Sequence, residues 1–100
     1  ADADAANTLG STALHYAAWS GSVAVAQDLL AHGADVNAQT TTGLTPLHYA
    51  AGWGQHEVVA LLLTHGARPD LADQNGETPR HWAERMEHAE IIALLARGGG

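Results

Sequence analysis

The segment Ser11–Ala18, reading STALHYAA, returns as LTPLHYAA at Leu44–Ala51 and again, more loosely, as ETPRHWAE at Glu77–Glu84, so that Thr12, Thr45 and Thr78 stand 33 residues apart each time. So strict a period restricts the chain to a stack of one supersecondary unit. In such a stack each unit touches only its neighbours, and the product is an extended surface rather than an enclosed active-site pocket. Binding, not a reaction, is the function to expect.

The rest of each unit keeps the same step. Gly33-Ala34-Asp35-Val36-Asn37-Ala38 follows one apolar run, Gly66-Ala67-Arg68-Pro69-Asp70-Leu71 follows the next, and Gly21 and Gly54 are in phase as well. The order T-P-L-H-x-A-A, then a glycine, then V-V-x-L-L-L, then G-A-D-V-N-A resembles the ankyrin repeat, over nearly the whole chain. The resemblance implies an all-α repeat solenoid of stacked helix-turn-helix units with projecting hairpin-like loops, acting as a protein-protein interaction module. In this register residues 1–6 are the tail of a preceding repeat, 7–39, 40–72 and 73–97 are three repeats, and 98–100 form a flexible tail. The small residues at the start also admit cleavage after a signal peptide.

One hundred residues with 46% hydrophobic content suit three units, about the minimum for a stack in which no unit buries its own apolar face. Cysteine is absent, which removes disulfides, thiolate metal sites and Cys nucleophiles. No apolar run approaches the roughly 20 residues that span a bilayer. The net charge is −7 with no lysine, and Arg68, Arg80, Arg85 and Arg97 are the only fixed cations. Neither nucleic acid nor membrane is therefore an expected partner. The acidic balance keeps the chain soluble or steers it toward a basic partner.

Thr45 sits where an N-cap belongs, with Pro46 at the position where a missing N–H costs nothing, and Thr78-Pro79 repeats the device. A first helix over Thr12–Trp19 is too short to persist alone in water and must be held by its neighbours. Second helices are expected over Ser22–Ala31 and Gln55–Thr64, with Val58, Val59, Leu61, Leu62 and Leu63 packed inside. His32-Gly33 and His65-Gly66 close them, and Ala34–Leu44 reads as a projecting finger. In the third unit Arg80 replaces Leu14 and Leu47, Glu84 replaces Ala18 and Ala51, and Ala96 replaces Leu30 and Leu63. Such polar replacements suit a C-terminal cap. Glu87 replaces the inter-helix glycine, at a cost of about 1 kcal/mol if it takes positive φ. Asp28 occupies the place of Leu61 and Leu94, and either a partly open face or a hydroxyl partner would spare it burial alone.

Seven histidines invite a metal reading, and His81, Glu84 and His88 would share one face of a continuous helix. The period instead separates His81 and His88 by a turn. The resemblance implies that His15, His48 and His81 tie neighbouring loops by hydrogen bonds. Ser11, Ser20 and Ser22 stand in no nucleophile elbow, and Gly10-Ser11-Thr12, able in principle to hold an anion at a helix start, recurs as architecture. No catalytic, cofactor-binding or metal-binding residues are expected.

The residues outside the repeat's frame are the candidates for partner binding. Trp19 ends the first helix, Trp53 stands one residue later in its repeat, and Arg85 and Met86 continue the stripe. By the resemblance these lie on a concave groove, and the finger tips line it too: Thr8, Leu9 and Ser11, then Thr41, Thr42 and Leu44, then Gln74, Asn75 and Glu77. Trp, Met and Arg suit interface hot spots. The alternative is that Trp19 and Trp53 fold back over the helix pairs and close the core. Tyr16, Tyr49 and Trp82 share a phase and are expected in the inter-repeat core. Asn37 resembles the asparagine hydroxylated in many animal ankyrin repeats, and read by itself is a turn residue bonding local backbone. The expected partner is a protein. The alternatives are a spacer segment of a longer array, or weak self-association of an otherwise monomeric chain through an open N-terminal face.

Overall fold

The structure is a computed structural model and describes residues 12–98. Thr8, Leu9, Ser11, residues 1–6 and the last two glycines lie outside the described residues. Six helices follow in order: α1 (Ala13–Ser20), α2 (Val23–Ala31), α3 (Pro46–Gly52), α4 (His56–Thr64), α5 (Pro79–Arg85) and α6 (Ala89–Gly98). Among the described residues there is no β-strand. Each odd-numbered helix packs on the even-numbered one after it, α1, α3 and α5 pack side by side as one layer, and α2, α4 and α6 form the second.

The short first helices are set by their caps. Thr12, Thr45 and Thr78 are extended, and each donates its backbone N–H to Nδ1 of the histidine three residues on, at 3.0 Å in all three units. Imidazole here does what glutamate does in a capping box, bonding a backbone N–H that the helix itself leaves unmet. The first helices stop where Gly21, Gly54 and Glu87 turn to φ 75, 74 and 60°. The next residue then reaches back, as in Gln55 N–H to the Ala50 carbonyl and His88 N–H to the Ala83 carbonyl, both 2.9 Å. Glu87 is the one non-glycine residue at positive φ among those described, so the strain that the sequence pattern implied is present. The second helices end in bonds from Ala34 N–H to the Leu29 carbonyl and from Ala67 N–H to the Leu62 carbonyl, the closure expected of a helix followed by a left-handed glycine.

Leu14, Leu47, Val58, Val59, Leu62, Ile91 and Leu95 fill the core, with Ala17, Ala18, Ala50, Ala51 and Ala83 letting the first helices approach closely. Leu61 and Leu63 of the α4 run are only half-buried. Arg80 and Glu84 are exposed and pair with each other at 3.4 Å, whereas their counterparts Leu14, Leu47, Ala18 and Ala51 are buried. Helix α6 continues through Gly98, so the first residue of the expected tail is helical. Asp28 is exposed and no carboxylate is buried at that position.

Two expectations are corrected. Tyr16 is 57% exposed, not core. Tyr49 and Trp82 are half-buried, each standing edge-on against the imidazole of the preceding repeat, His15 and His48. Asn37 reaches well beyond local backbone. Its side chain accepts from Arg68 N–H at 2.8 Å and donates to the Gly66 carbonyl at 3.3 Å, tying the loop after α2 to the loop after α4. The local bond is made by Asp35, whose carboxylate accepts from Asn37 N–H at 2.9 Å.

Candidate protein-interaction surface

The C-terminal ends of α1, α3 and α5 bring two register positions together, Trp19, Gly52 and Arg85 at one and Ser20, Trp53 and Met86 at the next. Trp19 and Trp53 meet edge to face, with ring centroids 6.1 Å apart and planes at 87°. They are 47% and 55% exposed, so they lie over the surface and do not close the core. The shift of the second tryptophan by one residue has a steric cause. A Cβ on Gly52 would come within 2.7 Å of the Trp82 ring, so no side chain fits there and the aromatic group moves to position 53. Met86 is 51% exposed. Arg85 is exposed but engaged: its guanidinium lies 5.7 Å from the centre of the Trp82 ring and pairs with Glu77.

The fingers are braced by short turns, and Glu77 at the base of one of them reaches the C-terminal end of α5 through Arg85. Thr40 N–H donates to the Leu44 carbonyl at 2.9 Å, and Asp73 N–H to the Glu77 carbonyl at 2.8 Å. Inside each turn a side-chain oxygen accepts backbone N–H groups: Thr40 Oγ1 from Leu44 at 3.1 Å, and Asp73 Oδ1 from Asn75 at 2.9 Å and Glu77 at 3.0 Å. Gln74 N–H reaches the Thr42 carbonyl at 2.9 Å and joins the two fingers. This leaves Thr41, Thr42, Gln74 and Asn75 exposed at the tips and Leu44 and Glu77 half-buried. Asp73 is a residue the sequence reading passed over. It braces the finger and takes the Trp82 indole N–H on its other oxygen at 3.3 Å; its phase match to Thr40 was the available signal.

The fingers are fixed to the helices by the histidines. His15 Nε2 donates to the Leu44 carbonyl and His48 Nε2 to the Glu77 carbonyl, each at 2.9 Å. Because Nδ1 already accepts a backbone N–H, Nε2 must carry the proton of the neutral ring. Among the described residues His81 bonds only Thr78, in the cap, and not the loop that the resemblance implied for it.

Two family models match the chain, one described as ankyrin repeats (3 copies) over residues 29–99 and one as ankyrin repeats (many copies) over residues 1–50. The chain belongs to the ankyrin repeat family. No curated protein matches it. Ankyrin repeats are generally protein-protein interaction modules and typically non-enzymatic. Burial in the ankyrin stack pushes the His48 imidazole down from 6.5 to about 4, with the Asp73 carboxylate opposing, and burial lowers His15 against the pull of the Leu44 and Ala38 carbonyls. Both rings are thus held neutral, the form that the cap and the finger bond require. His81 stands in α5 and His88 in the turn before α6, on separate elements. Among the described residues no group of three or more His, Cys, Asp or Glu is placed to hold a metal ion.

Proposed function

We propose that this ankyrin repeat chain is a non-catalytic protein-binding module whose partner lies across the ends of α1, α3 and α5 and the finger tips. The observation that carries the reading is the exposed Trp19–Trp53 pair, two large rings braced against each other at a surface position where the repeat frame asks for neither. An exposed aromatic pair contributes little to folding and much to an interface, where rigid rings give contact area at small entropic cost. Met86 extends the apolar strip, Arg85 and Glu77 neutralise each other, and Thr41, Thr42, Gln74 and Asn75 supply uncharged donors and acceptors along the rim. Leu44 adds partly covered apolar surface. The chemistry suits an uncharged, apolar-anchored segment of a protein better than a strongly charged one.

The test is a pull-down from lysate of the source organism with the parent chain and a Trp19→Ala/Trp53→Ala variant shown by circular dichroism to be folded. A protein retained by the parent and lost by the variant supports the reading. Retention by both moves the site elsewhere, and empty eluates from both leave the groove without support.

A further inference from the structure

We propose that two copies of this chain pair through the outer face of α4 and α6, about a two-fold axis that sets the two α6 helices antiparallel. Helices α4 and α6 lie side by side in the second layer. An open hollow runs between them, lined by Glu57 and Ala60 of the one and by Glu90, Ala93, Leu94 and Arg97 of the other. Ala60 and Ala93 are exposed and Leu94 is half-buried, so the floor is apolar and its small side chains let another helix come close. The two ends of the hollow carry opposite charge: Glu57 and Glu90 stand in the first turns of their helices, and Arg97 in the last turn of α6.

Those charges decide what fits. The other three arginines are paired within the molecule, Arg68 with Asp70, Arg80 with Glu84 and Arg85 with Glu77. Among the described residues Arg97 has no such partner, and neither have Glu57 and Glu90. Glu90 and Arg97 are two helical turns apart, on one side of α6 and about 10 Å from each other along its axis. Ala93 and Leu94 lie midway between them. A two-fold axis through that midpoint lays Arg97 of each copy against Glu90 of the other, and covers Ala93 and Leu94 of both copies at the centre. One surface thus complements itself, which is the condition for an isologous contact, and such a contact closes at two chains. The attraction comes from the apolar floor, since exposed ion pairs contribute little; the charges set register and direction. A trough between two short helices offers less area than a standard interface, so the dimer is weak and forms at high concentration. The tryptophan surface belongs to the other layer and takes no part.

Sedimentation equilibrium of the 100-residue chain from micromolar to millimolar concentration reads the association directly. The expected weight-average mass rises with concentration and levels at twice the monomer. Glu90→Arg and Arg97→Glu each set like charges opposite one another across the axis, and each variant alone is expected to stay monomeric. In an equimolar mixture of the two, every arginine again meets a glutamate, so a two-chain species returns. A constant monomer mass for the parent overturns the proposal, as does a parent mass that grows past two chains, either variant associating like the parent, or a mixture that stays monomeric. Should either variant fail to fold by circular dichroism, cross-linking decides instead. The chain has no cysteine of its own, and Ala93→Cys places one thiol of each copy beside the axis. With oxidised glutathione as oxidant, its interchain disulfide is expected to form several times faster than that of Gln27→Cys, at the same register position on α2 and equally exposed to solvent in class. Equal rates overturn the proposal.

Discussion

At the scale of the residue, the third repeat departs from its siblings in ways that can be measured one side chain at a time. Glu87 takes φ 60° at a position where Gly21 and Gly54 take 75° and 74°. A side chain in the left-handed region costs about 1 kcal/mol, part of which glycine gives back through the freedom of its unfolded chain. Glu87→Gly is therefore expected to stabilise the protein by roughly 0.5 kcal/mol, read as a higher urea midpoint at unchanged slope; a lower midpoint would refute the strain. His48 and His81 offer a sharper contrast, being one residue type in one register. His48 is fully buried and bonds Thr45 on one nitrogen and the Glu77 carbonyl on the other, whereas His81 is exposed and among the described residues bonds only Thr78. Truncation of His48 leaves a buried N–H and a carbonyl unmet, so His48→Ala should cost about 3 kcal/mol and His81→Ala about 1 kcal/mol or less. Equal losses would mean that the inter-repeat bond contributes nothing.

At the scale of the element, the loops and helices of successive repeats are held together by a ladder of neutral imidazoles, and that makes the stack sensitive to acid. The folded His48 titrates at about 4 where an unhindered imidazole titrates at 6.5, because burial disfavours its charged form. The unfolded chain thus takes up the proton first. Stability is full above about 6.5 and falls as the pH drops from there toward 4, by up to roughly 3 kcal/mol for this one group, with His15 acting in the same direction. Urea unfolding at pH 7.5 and pH 4.5 is expected to show that loss in the parent. The expected loss is smaller in His48→Gln, whose amide can still accept at one end and donate at the other. A pH-independent midpoint would remove the imidazoles from the account. The period marked His15, His48 and His81 as one register position, but their tie between loops came only from the resemblance to ankyrin repeats, and it is seen for His15 and His48 and, among the described residues, not for His81. The helix ends were legible to within a residue because the caps use familiar residue types. What was not legible depends on the neighbour across the joint. Tyr16 has the phase of Tyr49 yet is exposed; Asn37 reads as a turn residue until Gly66 and Arg68 are brought beside it; Trp53 departs from the register of Trp19 because Trp82 packs where a side chain on Gly52 would have to go.

At the scale of the whole molecule, no unit has a core of its own. Leu47, Ala51 and Leu62 of the second repeat are buried, α3 and α4 lie against α5 and α6, and the His48 ring is closed off by the Glu77 carbonyl and Trp82. Removing the third unit would expose the second at the place where Leu47 and His48 are hidden, and it would leave the His48 Nε2–H without its acceptor. The second repeat would gain nothing in exchange, because its own face there is apolar, unlike the face of the third repeat, which carries the Arg80–Glu84 pair. A chain of residues 1–72 should therefore lose its helical signal altogether instead of shedding a third of it, since repeat stability is mostly interfacial and about three units are needed for a stable stack. Circular dichroism at 25 °C decides between these outcomes. A truncated chain that retains two-thirds of the parent's ellipticity and melts cooperatively would show that two repeats suffice, and that the polar face of the third repeat is a matter of solubility rather than of holding the second in place.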